Sequence, residues 1–409
     1  MLPPDGTTGN PLADVVAQQY ERWVYPEPIM DLPAWLEHNW QWFDPSHAHR
    51  LLWPDRDYRA DLDILVAGCG TNQAAVLAYT NPRARVVAVD VSQSSLQHHA
   101  FLRSTYSLDN LELHQLPIED LHTLDRNFDL IVSTGVLHHL ADPAAGMRAL
   151  ADCLRRDGVI AAMLYAAYGR IGVEILQGVF RDLGLRQDEA SLRIVRDALA
   201  SVPAEHPIAS YLPLADDLSV DAGMVDTFLH GRDRSFTVPE CLELVETAGL
   251  AFQGWLLKSP YYPPLPPGNS FYEAVSALPL ADQWAVMERV NSRNACHFFM
   301  ACHPERPAST YDIDFASPRW ADYVPSLRYR VVLAGPRLAR HDWAITLDPI
   351  DLAVVRRIDG LRTMRQVIDA AARDEGRAPA ELEEGARGLV QSLWQRDFLA
   401  MGIVDGAAA

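Results

Sequence analysis

The sequence predicts an α/β fold with a doubly wound parallel sheet, and three observations carry that prediction. Short apolar runs alternate with helical segments between Leu62 and Tyr165, the rhythm of a sheet covered by helices on both faces. The first run, Asp63-Ile-Leu-Val-Ala67, ends in Gly68-Cys69-Gly70 just before a helical stretch. The second run ends in an acid, Asp90, which stands 20 residues beyond Gly70.

The elements follow in order. Residues 1–60 are dense in aromatics and prolines, among them Tyr20, Trp23, Tyr25, Pro26 and Trp35. Such a stretch is too apolar for a disordered tail and predicts short helices packed as a cover or lid. Residues 61–165 hold the core: strand 63–67, helix 73–79, strand 85–90, helix 92–104, strands 110–114 and 128–134, helix 143–155 and strand 158–164. Residues 166–249 lose the alternation and read as a helical insertion punctuated by Gly184, Pro203, Pro207 and Pro213. Residues 250–305 supply the final strands around a proline-rich loop at 259–268. Beyond a Pro-containing linker, residues 310–409 place Ile350, Leu352, Val354, Val355, Ile358, Val367 and Ile368 at helical spacing. That pattern predicts a separately folding helical module of winged-helix-like type.

Bulk composition narrows the function classes. A chain of 409 residues, 49% of them hydrophobic, can bury a sizeable core. Its 35 basic and 54 acidic residues give a net charge of −19, so the surface repels phosphate backbones and anionic lipid; neither nucleic acid nor membrane is expected as a partner. The five cysteines form no C-x-x-C pair, which suits a reducing compartment. With no leader pattern at the start and no apolar run long enough to span a bilayer, a cytoplasmic location is expected.

The Gly68-Cys69-Gly70 turn and Asp90 carry the chemistry. At a strand-to-helix turn, glycines let the backbone approach a nucleoside ligand, and the helix N-terminus offers free N–H groups. The acid closing the next strand holds ribose hydroxyls. A pyrophosphate-binding turn wants a third glycine where this chain has Gln73, so a dinucleotide fits poorly.

The segment Ala67-Gly-Cys-Gly-Thr-Asn72 instead resembles the glycine-rich signature of class I S-adenosylmethionine-dependent methyltransferases. Leu116-Pro-Ile-Glu-Asp-Leu121 resembles the family's segment after the third strand, whose backbone meets the adenine. Residues 127–143, containing Thr134-Gly-Val-Leu-His-His-Leu140, resemble its fourth strand and the following turn, and residues 154–162 the fifth. The likeness covers roughly residues 60–165 and resumes at 235–250 and at the strand 296–302. It implies a seven-stranded, Rossmann-like methyltransferase sheet with S-adenosyl-L-methionine as cofactor. The implied cofactor residues are Ala67, Gly68, Cys69, Gly70, Asn72, Asp90, Val91, Ile118, Glu119, Thr134 and Gly135. Two departures stand out: Val66 replaces a common acid, and Asn72 a common glycine. Asn tolerates the left-handed conformation a glycine would adopt there.

Further candidates come from placement. His138 and His139 follow the fourth strand, where an imidazole could take a proton from an acceptor. Tyr20 and Tyr25 belong to the expected lid, Asp226 and His230 to the insertion, and Tyr261 to the proline-rich loop; all five are candidate acceptor-site residues. A metal site is not expected, because strand alternation sends Cys296 and His297 to opposite faces. The resulting expectation is methyl transfer to an O, N or S nucleophile of a small molecule. The alternatives are a peptide or protein acceptor recruited by the C-terminal module, and a non-catalytic cofactor-binding scaffold. Assembly into a homo-oligomer is left open.

Overall fold

The structure is a computed structural model in which Leu12 and residues 14–404 are described; the start of the chain, where no leader is expected, lies outside them. The central sheet has seven strands: β1 (Asp63–Ala67), β2 (Arg85–Asp90), β3 (Leu111–Gln115), β4 (Phe128–Thr134), β5 (Leu154–Tyr165), β6 (Ala251–Trp255) and β7 (Cys296–Cys302). Their order is β3-β2-β1-β4-β5-β7-β6. Strands β1 to β5 run parallel, while β7 is antiparallel to β5. The sheet is therefore mixed at one edge rather than parallel throughout. A β7 that returns beside β5 needs no crossover helix, and crossover helices were the signal for parallel strands.

Burial follows the sequence pattern. Ile64, Leu65, Val66 and Ala67 of β1 and Leu130, Ile131 and Val132 of β4 are almost fully buried, as strands covered on both faces must be. The helix Gln73–Thr80 buries Ala74 through Ala78 on the sheet. Asp142 caps Pro143–Asp152 by accepting from Ala145 N, and a Thr237–Glu240 capping box starts Val238–Thr247. In register, Val66 lies opposite Val132 and Ala67 opposite Val89. Gly68, Asp90 and Thr134 thus leave the sheet at one level, where the strand order reverses and ligands of such sheets bind.

The chain divides into two compact units. The first takes the chain to Gln41 with Ala60–Phe252 and Glu288–Pro304; the second takes Trp42–Arg59, Gln253–Met287 and the chain from Glu305 on. The division falls inside β6. Within the first unit the insertion is helical, with Ile171–Asp182, Glu189–Ser201 and Asp221–Phe228 around a core of Val173, Leu176, Phe180, Val195 and Phe228.

In the second unit, residues from 305 on share their compact body with 42–59 and 253–287. Arg50 donates to Gly360 O at 2.6 Å and to Val324 O at 3.3 Å, and Ile403 N donates to Pro54 O at 2.6 Å. Among the described residues from 305 on there are three α-helices, Pro349–Val355, Met364–Glu375 and Pro379–Gln395. The short strands 332–334, 337–339 and 344–346 precede them in one antiparallel sheet, so a winged-helix likeness rests on the helices alone. Asp397, at φ +64°, is the polar hub of this unit. Its carboxylate accepts from Lys258 N and Ser259 N at 3.0 Å, from Arg328 Nη1 at 2.6 Å and from Arg340 Nη1 at 3.3 Å. The Lys258 ammonium lies 4.9 Å from the Trp394 ring centroid, and burial lowers its pKa to about 8.

Candidate active site

The glycine turn is shaped for a close ligand approach. Gly68 and Gly70 have φ of +75° and +53°, conformations that penalise any side chain. A Cβ on Gly68 would stand 2.4 Å from Val136 Cγ2. We expect Gly68→Ala to cost about 1–3 kcal/mol through backbone strain and overpacking, read as a lower urea midpoint; an unchanged midpoint would mean the turn tolerates a side chain. Asp90 closes β2 with both carboxylate oxygens held by backbone, Gly70 N at 2.8 Å and Ser92 N at 2.9 Å. Ser92 itself caps the next helix. Among the described residues no cation pairs with Asp90, and burial raises its pKa to about 6.

Residues 14–30 run over this turn as a strap. A Cβ on Gly70 would stand 2.9 Å from Pro26 Cδ. Thr71 Oγ1 donates to Pro26 O at 2.8 Å, Asn72 Nδ2 donates to Glu27 O at 2.9 Å, and Asn72 Oδ1 accepts from Ile29 N. Glu21 accepts from Gln93 N and Ser94 Oγ at the helix start after β2. Asn72 has φ −129°, so the left-handed conformation expected for it is not used. Its amide fastens the strap.

Beside the turn, a polar cluster is largely buried. Asp226, 2% exposed, accepts from Tyr20 Oη at 2.7 Å and from Tyr165 Oη at 3.1 Å. Tyr25 Oη donates to Asp217 Oδ2 at 2.7 Å. Arg170 lies 3.6 Å from the Tyr165 ring centroid and donates to Tyr211 Oη and Asp233. Burial raises the pKa of Asp226, and burial lowers those of His138, His139 and His230.

Hydrogen bonds assign the ring nitrogens. Arg232 O faces His139 Nδ1 at 3.1 Å; a carbonyl only accepts, so Nδ1 carries the proton and Nε2 the lone pair. Arg232 Nε donates back to His139 O at 2.9 Å, clamping that residue. His138 is the reverse: its Nδ1 accepts from Tyr165 N at 3.3 Å, and its buried Nε2–H has no partner. Of the two expected bases, only His139 has a lone pair to offer. Ligand atoms of His139, Asp226 and His230 lie within 4.8 Å of one another, a spacing a metal could use. His230 Nδ1, however, accepts from Arg232 N at 3.0 Å, which leaves its Nε2 protonated, and that arrangement suits proton transfer rather than ligation.

The structure thus brings Tyr20, Tyr25, His138, His139, Asp226 and His230 together. Ala67, Gly68, Cys69, Gly70, Asp90 and Val91 line the first two strand ends, and Thr134 and Gly135 the fourth. Thr134 Oγ1 donates to Gln73 Oε1 at 3.0 Å, Val91 O accepts from Gln115, and Ile118 is buried with Glu119 half-buried beside it. Tyr261 belongs to the second unit, where it stacks on Trp255 with centroids 3.9 Å apart. The cluster also holds Tyr165, Arg170, Asp217 and Asp233, which sequence reasoning missed. One signal was available for Arg170: Gly169 and Gly172 bracket it, and a Cβ on either would stand within 2.3 Å of Asn294 or Ile208 backbone.

A family model described as a methyltransferase domain matches residues 65–160. An uncharacterized protein of Synechococcus sp. is 30% identical over 261 residues, covering 62% of this chain and 61% of that one. Malonyl-[acyl-carrier protein] O-methyltransferase of Acetivibrio thermocellus is 31% identical over 108 residues, 26% of this chain and 37% of that enzyme. The chain therefore spans about three-fifths of the first relative and about a third of the second. In fold it is similar to PKMT2 from Rickettsia typhi, with a TM-score of 0.67 at 16% identity over 92% of this chain and 77% of that one. That protein is also known in complex with AdoHcy. No helix among the described residues is long and apolar enough to cross a membrane. With the strand order, the glycine turn and these matches in agreement, residues 65–160 carry a methyltransferase domain of the class I, S-adenosylmethionine-dependent kind.

Proposed function

We propose that the chain is an active methyltransferase that uses S-adenosyl-L-methionine to methylate an O, N or S nucleophile of a small molecule, with His139 as the proton acceptor. The observation that carries this reading is the His139 Nε2 lone pair, fixed by the Arg232 clamp in the same largely buried cluster as Asp226, Tyr20 and Tyr165. The residues at the strand ends fit the cofactor. Gly68 and Gly135, both at φ +75°, keep side chains off the crevice, and Asp90 retains lone pairs beyond its two backbone bonds. When bound, the cofactor supplies an electrophilic methyl group on its sulfonium sulfur. Asp90 would hold the ribose hydroxyls, and the backbone at Ile118 and Glu119 would meet the adenine. Tyr20, Tyr25 and the strap would exclude water from the bound cofactor, whose cation suits aromatic neighbours. His139 removes the acceptor's proton; burial lowers its pKa, which keeps it neutral and ready as a base at neutral pH.

The reading is tested by titrating S-adenosylhomocysteine against pH. Ribose hydroxyls donate to the ionised carboxylate, so binding needs Asp90 deprotonated. Its pKa in the free protein is raised to about 6. Affinity should be level above that pH and fall up to about tenfold per unit below it. Asp90→Ala should weaken binding by roughly 1.5–3 kcal/mol per lost charged hydrogen bond. Asp90→Asn should remove the pH dependence. The same shift has a stability consequence: the carboxyl is protonated more readily folded than unfolded, so this group's contribution declines as pH rises from the ordinary carboxylate range to about 6. Tight binding of NAD with no response to S-adenosylhomocysteine would end the reading.

A further inference from the structure

The helix Ile171–Asp182 is apolar on two sides. Its inner side buries Val173, Leu176 and Phe180 in the insertion core. On the outer side Ile171, Ile175 and Val179, continued by Leu183, are 49%, 43%, 44% and 61% exposed. These four recur every fourth residue, so they form one ridge along the helix. A helix that is apolar all round is normally buried all round, and a continuous exposed apolar ridge marks a contact surface.

We propose that this ridge is the two-fold interface between two copies of the chain, with their Ile171–Asp182 helices packed antiparallel. The pattern is self-complementary, as an isologous interface requires. Ile171 and Leu183 are equidistant from Gln177, as are Ile175 and Val179, so an antiparallel copy meets each with its counterpart. The charges flanking the ridge come within half a residue of the same symmetry. Glu174 and Arg181 straddle the point between Gln177 and Gly178, and each faces the opposite charge on the second copy. At that point Gly178 has only Arg181 Nη2 near a would-be Cβ, at 4.0 Å, leaving room for the helices to approach closely. A lipid surface fits poorly, because membrane-lying helices flank their apolar face with Lys and Arg. Here the flank holds Glu174, Arg181 and Asp182 on a chain of net charge −19.

Sedimentation of the full chain at about 10–100 μM, the range expected of a modest interface, should give twice the monomer mass of 45.6 kDa. Ile175→Glu should raise the dissociation constant roughly 30-fold or more while leaving the circular dichroism spectrum unchanged, since the side chain is exposed. Arg181→Glu should also weaken the dimer, and adding Glu174→Arg should restore it. Gly178→Cys should form a reducible covalent dimer under mild oxidation, because the two thiols would meet near the axis. A wild-type chain that stays at 45.6 kDa overturns the proposal, whatever else the ridge binds. So does a dimer indifferent to Ile175→Glu, or a charge reversal that the second reversal does not rescue.

Discussion

His139→Ala is expected to lower methyl transfer by about 10²–10⁴-fold while leaving S-adenosylhomocysteine affinity nearly unchanged. The effect follows from the assigned tautomer: the Arg232 carbonyl accepts from Nδ1–H, and the lone pair on Nε2 is the one that alanine removes. His139→Gln keeps an amide to bond that carbonyl but has no basic nitrogen, so it should be nearly as slow. His138→Phe preserves a ring to stack on Tyr165, where the imidazole centroid now lies 3.9 Å away, and should lose far less. The measurement is S-adenosylhomocysteine formation with a panel of amine, phenol and thiol acceptors, under conditions that saturate the cofactor. Burial lowers the His139 pKa, so the acid limb of the rate profile should fall below the usual imidazole range. Equal losses at His138 and His139 would remove the base assignment and leave the cluster a purely structural one.

Asp397→Ala is expected to destabilise the second unit by about 3–5 kcal/mol. Removing this carboxylate leaves Arg328, 9% exposed at its side chain, without its 2.6 Å partner. It also strands the backbone amides of Lys258 and Ser259. Alanine would in addition have to adopt φ +64°, where it has no local hydrogen bond to help it. Asp397→Asn tolerates that conformation and still accepts from the two amides, so it should lose distinctly less. Urea unfolding followed by tryptophan fluorescence reads the difference; a loss under about 1 kcal/mol for alanine, within the range of an exposed surface pair, would show that the arginines find other partners.

How legible the molecule was depended on the range of the interactions. The strands β1 to β5 and the turn at Gly68 and Gly70 were readable because their signals are local: apolar runs, glycines at a fixed offset, an acid closing the next strand. The direction of β7 was not, since antiparallel return to β5 is decided by what lies between the two strands. Asn72 shows the limit within one residue. Its identity suggested a left-handed turn, yet its amide bonds Glu27 and Ile29, 43 to 45 positions away. His138 and His139 follow the fourth strand, but only the partners Tyr165 N and Arg232 O tell the two rings apart. Asp217 and Asp233 were invisible because isolated polar residues in a helical region look like solvated surface until the fold buries them.

The patchwork make-up of the second unit sets a clock on its assembly. Trp42–Arg59 leaves the ribosome more than 300 residues before the strand at Leu399–Gly402 that follows the final helix. At about 5–20 residues per second, Arg50 and Pro54 wait roughly 15–70 s for Val324, Gly360 and Ile403 to be made. Through that interval Phe43, Leu52 and Trp53, all buried in the finished protein, have no completed body to enter. The same segment joins the strap to β1, so a stretch of chain that emerges early is among the last to reach its final place. A cell making this protein must therefore keep a nascent aromatic segment shielded through most of translation, and a nearly full-length chain lacking the strand Leu399–Gly402 would be handled as an unfinished one.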